Sequence, residues 1–231
     1  MSVRAVLFDA GHTLLAMDYA VVAERLRARG HDVADAAVVS AERRARIRLD
    51  GEQAAAPTRG RTGEGRYGRY LLDYLGIGDD DERRQFAEWR RGYNAPVGLC
   101  CRADAEAIEA LGRLRAAGLV TGVISNSNGS VRLALERAGL APHLDFVLDS
   151  TVVGIAKPDP RVFHLGLERA GVTATEAVYV GDSYHVDVLG ARHVGMGAVL
   201  FDPGGLWGER DCPTAAGLLA AADLARGLAA G

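Results

Sequence analysis

Short apolar runs rich in Val and Ile recur at 3–8, 120–124, 146–148, 177–180 and 198–201, and helical patterns separate most of them. A run that is apolar at every position suits a strand buried on both faces, and a helix between two such runs suits a parallel crossover. Segment 105–117 places Ile108, Leu111 and Leu114 on one helical face, and 131–138 and 162–170 repeat that spacing. The rhythm predicts an α/β fold: a Rossmann-like, doubly wound parallel sheet covered on both sides.

The interval 18–94 breaks the rhythm. It is rich in Ala, Arg, Leu and Glu and offers no strand; helices are expected at 19–29, 34–49, 66–75 and 81–91, with a loop over 57–65. Because one strand precedes the block and the next follows it, it reads as a helical domain inserted into the first connection of the sheet. The expected division is a core of 1–17 and 95–231 and an inserted helical domain of 18–94. The Ala-rich segment 214–230 predicts a last helix packed on the core.

Hydrophobic residues make up 48% of the chain, charged residues 25%, and the net charge is −3, a balance that points to a globular protein. No apolar run approaches the ~20 residues of a membrane-spanning helix. The N-terminus enters a strand-like run without a signal-like segment, so the expected location is the cytoplasm. Weak negative charge argues against a nucleic-acid partner, because phosphate backbones select basic surfaces. Cys100, Cys101 and Cys212 give neither a disulfide framework nor zinc-site spacing, and read as ordinary thiols.

In a doubly wound sheet, ligands bind beyond the carboxyl ends of the strands, so polar residues just after apolar runs are the candidates. Four such clusters occur: Asp9-Ala10-Gly11-His12-Thr13, Ser125-Asn126, Lys157-Pro158-Asp159, and Gly181-Asp182-Ser183-Tyr184-His185-Val186-Asp187. Taken singly, each has a bland reading as a turn or a surface charge. Their order, with a carboxylate, a hydroxyl, a lysine and a carboxylate pair at successive strand ends, resembles the haloacid dehalogenase superfamily. The resemblance is to the subgroup with a helical cap inserted after the first motif, and it extends from Asp9 to Asp187.

That resemblance implies a hydrolase acting on a small phosphorylated substrate. Asp9 would be the nucleophile, and Mg2+ would be held by Asp9, the Gly11 backbone carbonyl and Asp182, with Asp187 in support. Lys157 and Ser125 would act in catalysis and, with Asn126, bind the phosphate. The chemistry fits these residue types, since phosphoryl transfer needs a nucleophile, positive charge and hydrogen-bond donors around one centre. Gly181 would let backbone pass close to the metal, Thr13 would support the first loop, and Tyr184 and His185 read as solvent-facing. Monomer and homodimer are both compatible with the sequence.

One position departs from the phosphatase pattern. The usual second aspartate, two residues after the nucleophile, is Gly11 here, and such general acid-base help is worth roughly 10²- to 10⁴-fold. His12 or a cap residue could move the proton instead, or the leaving group could need little protonation. Alternatively, the chain could resemble the 2-haloacid dehalogenases, which lack that aspartate because a halide leaves without a proton. Those enzymes need no metal, whereas this chain keeps Asp182 and Asp187. A silent binding module that retains the fold is the remaining alternative.

Two weaker signals lie in the inserted block. Gly63-Glu64-Gly65-Arg66-Tyr67-Gly68 spells a dinucleotide fingerprint but follows no strand, so it reads as a flexible cap loop. Arg59 and Arg61, near Arg66, Arg69, Tyr67 and Tyr70, are candidates for substrate binding, because guanidinium forks suit carboxylates and phosphates.

Overall fold

The computed structural model describes residues 2–55, 63–94 and 97–228. In chain order the elements are β1 (Ala5–Phe8), β2 (Leu15–Met17), α1 (Tyr19–Arg27), α2 (Asp35–Ala55), α3 (Gly63–Tyr74), α4 (Asp80–Tyr93) and β3 (Cys100–Ala103). They continue with α5 (Ala107–Ala116), β4 (Val120–Ser125), α6 (Val131–Arg137), β5 (Phe146–Asp149), α7 (Ser150–Val153), α8 (Pro160–Ala170) and β6 (Ala177–Gly181). A π-type turn (Tyr184–Val188), α9 (Leu189–His193), β7 (Gly197–Phe201), β8 (Thr214–Ala215) and α10 (Leu218–Gly227) complete the chain.

Two compact units result: Met1–Met17 with Cys100–Gly231, and Asp18–Leu99. In the first, the strands stand in the order β5-β4-β1-β6-β7-β8, and every neighbouring pair is parallel. β1 lies at the middle, so successive crossovers run outward from it on both sides, and the crevice at the strand ends opens beside it. Ala5, Val6, Leu7 and Phe8 are fully buried, as are Val123, Tyr179, Val180, Val199 and Leu200. Their continuous apolar runs reflect burial on two faces.

Several expectations need correction. In α5 the buried positions are Ala107, Ala110, Leu111 and Leu114, whereas Ile108 is 48% exposed. The small alanines let the helix lie close to the sheet, which turns position 108 outward. The segment from 214 opens not as helix but as β8, paired to β7, before α10 begins at Leu218. Also unforeseen is an antiparallel pair, β2 with β3, which takes the chain out of the sheet unit and back into it at Cys100 rather than at 95.

The second unit is helical among its described residues, built on Val22, Leu26, Val38, Ala41, Leu71, Leu72 and Phe86. Glu42 of α2 is fully buried there, and its charge is met by Arg46 Nε at 3.1 Å and the hydroxyls of Tyr67 at 3.1 Å and Tyr19 at 3.3 Å. Gly65 and Gly68 lie inside α3, not in a flexible loop. The expected loop therefore ends before Gly63, because Tyr67, Tyr70 and Leu71 recur at helical spacing and bury one face. The rest of that expected loop, with Arg59 and Arg61, lies outside the described residues.

Candidate active site at the strand ends

Asp9 follows β1 directly, and its amide donates to the Val180 carbonyl at 2.9 Å, which fixes the residue against the end of β6. The loop then turns tightly. The amide of Leu15 reaches the Ala10 carbonyl at 2.7 Å, that of His12 reaches the Leu15 carbonyl at 2.7 Å, and His12 takes a left-handed backbone with φ of 61°. A non-glycine residue seldom adopts that conformation, so the loop is held in shape by its surroundings.

Lys157 is the centre of the cluster and the only lysine in the sequence. Its Nζ lies 2.7 Å from Asp9 Oδ1, 2.7 Å from Asp187 Oδ1 and 2.8 Å from the Tyr179 hydroxyl. An ammonium has three hydrogens to donate, and all three meet an acceptor here. Tyr179, fully buried in β6, passes its own hydrogen to the Ile124 carbonyl at 2.7 Å and so ties the ammonium to the end of β4. Burial works against the Lys157 charge, but Asp187 and Asp9 hold its pKa well above the ordinary lysine range. The Tyr179 hydroxyl is driven well up by burial, so it stays protonated.

Asp182 and Asp187 come from the end of β6 and the turn after it. The amides of Asp187 and Val188 both reach the Ser183 carbonyl, at 3.1 and 3.2 Å. This widened turn brings the chain back to the same side after five residues, as an i→i+5 turn does. Asp187 then folds under Gly181, accepting from the Ser183 amide at 3.1 Å. The carboxylates of Asp9, Asp182 and Asp187 offer ligand atoms within 4.8 Å of one another.

Three carboxylates share this space with one ammonium. At an effective dielectric constant near 20, like charges about 5 Å apart repel by roughly 3 kcal/mol. Asp187 is accordingly pushed up to about 7, by burial first, with Lys157 pulling down and Asp9 and Asp182 adding to the rise. Asp9 is raised by burial against the pull of Lys157. The excess negative charge and the oxygen-only donor set suit a hard divalent cation.

The other expected residues take varied places. Ser125 ends β4 in a buried position. The Asn126 amide is engaged with the backbone of Lys157, accepting from its N–H at 2.8 Å and donating to its carbonyl at 2.9 Å. It therefore shapes the lysine loop. Thr13 donates to Asp182 Oδ1 at 3.3 Å, linking the first and fourth clusters. His12 Nε2 stands 3.4 Å from Cys100 Sγ. The space beside Gly181 is filled by the Asp187 carboxylate. Tyr184 does not simply face solvent, since its hydroxyl meets Asp211 at 2.6 Å. Arg66 pairs with Glu52 at 3.3 Å and Arg69 with Asp73 at 3.9 Å.

Sequence reasoning missed Tyr179, which lies mid-strand among apolar residues and carries no motif. The one available signal was a hydroxyl-bearing residue in an otherwise apolar, two-face-buried run, because a buried tyrosine oxygen needs a partner.

A central parallel sheet with an acidic cluster and a buried ammonium at its carboxyl ends places a candidate hydrolytic site at a topological switch point. Residues 3–195 match the haloacid dehalogenase-like hydrolases, and the chain belongs to that family. Bovine haloacid dehalogenase-like hydrolase domain-containing protein 3 is 45% identical over 86 residues, 37% of this chain and 34% of that protein. A phosphoserine phosphatase from Thermus thermophilus is 45% identical over 102 residues, 44% of this chain and 40% of that one. The chain thus matches well under half the length of these relatives. Among solved structures, a 2-haloacid dehalogenase from Pseudomonas syringae has a TM-score of 0.57 and 28% identity over 98% of this chain and 100% of that one. Among the described residues no helix is long and apolar enough to cross a membrane.

Proposed function

We propose that this protein is a magnesium-dependent phosphatase that hydrolyses a small phosphorylated metabolite through an aspartyl-phosphate on Asp9. The observation that carries the reading is the Lys157 ammonium bridging Asp9 and Asp187, with Asp182 in the same 4.8 Å cluster. Asp9, Asp182 and the Gly11 carbonyl, with Asp187 behind them, would hold the ion, whose charge would screen the nucleophile from the phosphate and offset charge on the phosphoryl oxygens.

Lys157 fixes one oxygen of Asp9 and leaves the other to attack phosphorus. The side chain of Asp9 is 13% exposed, whereas those of Lys157 and Asp187 are 2% exposed, so Asp9 is the acid a substrate reaches. As the bond from phosphorus to Asp9 forms, the bond to the leaving oxygen breaks, and that oxygen takes a proton from water. Water then attacks the same phosphorus, releasing inorganic phosphate and restoring the Asp9 carboxylate. Because its three hydrogens are committed, Lys157 works by neutralising and holding Asp9. Phosphate oxygens fall to Ser125 and to backbone N–H groups at the strand ends.

A second reading, a 2-haloacid dehalogenase, is favoured by Gly11 and by the full-length likeness to the Pseudomonas syringae enzyme. A panel of phosphorylated metabolites and a 2-haloacid, assayed with and without magnesium on wild type and Asp9→Asn, decides between them. The phosphatase reading expects phosphate release that needs both magnesium and Asp9. Halide release indifferent to magnesium would replace it with the second reading.

A further inference from the structure

The loop after β7 reaches into the candidate site from outside the four motif clusters. Asp202, buried at the end of β7, accepts the amides of Leu206 at 3.2 Å and Trp207 at 2.9 Å, which folds the loop into a tight turn. That turn drives Trp207 inward until it is 4% exposed, and its indole Nε1–H donates to the Asp182 backbone carbonyl at 3.0 Å. Tyr184, two residues beyond Asp182, packs its ring 6.2 Å from that of Trp207. Arg210 lies over both rings, 5.5 Å from that of Trp207 and 5.3 Å from that of Tyr184.

We infer that Trp207 is a positioning residue for the cation site, fixing the Asp182 peptide so that its carboxylate faces Asp9. This rests on the reading of Asp182 as a cation ligand and adds what holds it there. Thr13 restrains the same residue from the other side, through Oδ1 at 3.3 Å. Asp182 is thus clamped at backbone and side chain by two loops distant in sequence. Partners that orient a ligand in this way set metal affinity, and their loss typically weakens it by about 10- to 100-fold. A ligand that must be reordered at each binding event binds less tightly, while the chemistry at the loaded site is largely kept.

The test is magnesium binding measured by calorimetry, without substrate, on wild type and Trp207→Phe, which keeps an aromatic ring and removes the N–H. The expected result is an affinity about tenfold weaker in the variant, with kcat returning close to the wild-type value at saturating magnesium. A folded Trp207→Phe that binds magnesium as wild type does overturns the inference. Should that variant not fold, Trp89→Phe leaves Trp207 as the only indole of the two in the sequence. Its Nε1–H resonance is then expected to shift on magnesium addition, and an unmoved resonance at saturation overturns the inference. Absence of magnesium binding by the wild type would remove the metal reading and this inference together.

Discussion

The Asp187 carboxylate fills the space that a side chain at Gly181 would need, and a Cβ placed there would collide with Asp187 Oδ2. Asp187 in turn holds Lys157, and Lys157 holds Asp9. A single methyl group at the end of β6 therefore bears on Asp9 through two ion pairs. Gly181→Ala is expected to destabilise the fold by about 1–3 kcal/mol, the usual cost of overpacking. It should lower phosphatase activity far more than that loss of stability explains. Urea unfolding alongside steady-state kinetics separates the two effects, and unchanged kcat in the variant would refute the linkage.

At Gly11 the situation is reversed. Among the described residues a Cβ there meets nothing within 4 Å, and the backbone lies outside the left-handed region that would forbid one. The position can therefore accept the aspartate that phosphatases of this family use as acid and base. Gly11→Asp is expected to raise turnover of substrates with poor leaving groups by roughly 10²-fold, within the range of such help. Activated aryl phosphates should gain little. A series of leaving groups of graded pKa measures this, and an unchanged slope would show that the loop does not aim position 11 at the leaving oxygen.

Tyr179→Phe removes an acceptor from Lys157 and a donor from the Ile124 carbonyl, both buried. Leaving two buried groups unsatisfied costs about 1–3 kcal/mol. Thermal unfolding should register this as a lower Tm, and kcat should fall because the ammonium is freed from one of its three restraints. A variant as stable and active as wild type would show the tyrosine to be incidental.

Away from the site, Asp145 accepts the Thr121 amide at 2.8 Å and pairs with Arg115 at 2.8 Å, joining the start of β4 to the segment before β5. Its burial opposes ionisation, but the Thr121 amide and Arg115 prevail, and its pKa lies below the ordinary value. A depressed folded-state pKa contributes stability above the unfolded value near 3.9, and that stability is lost as pH falls through the folded value. The side chain is 41% exposed, so solvent screening keeps the contribution to roughly 0.5–1 kcal/mol. Asp145→Asn should be less stable than wild type at pH 7, with the gap closing in acid. Unfolding curves at both pH values check this, and a gap independent of pH would contradict it.

Much of this was legible in the residues themselves. Strands buried on both faces announce themselves as unbroken apolar runs, and polar residues at their ends have no packing role, so Asp9, Lys157, Asp182 and Asp187 stood out. The β2–β3 pair did not, because three- and four-residue strands at the junction of two units have no period long enough to read. Ile108 misled because helical spacing alone cannot tell which of two possible faces the small alanines select. Asn126 reads as a phosphate ligand from its neighbourhood, whereas both ends of its amide meet the Lys157 backbone. Trp207 and Tyr179 were hidden because each acts through one polar atom on a large apolar side chain.

The proposed mechanism requires that Asp9 itself take the phosphoryl group. Intact-protein and peptide mass spectrometry after an acid quench of the enzyme with magnesium and an excess of a turned-over phosphate ester measures this directly. One PO3 group is expected on the peptide containing Asp9 in the wild type, and none in Asp9→Asn. Continued turnover with no adduct on that peptide, or an adduct on another residue, would contradict it.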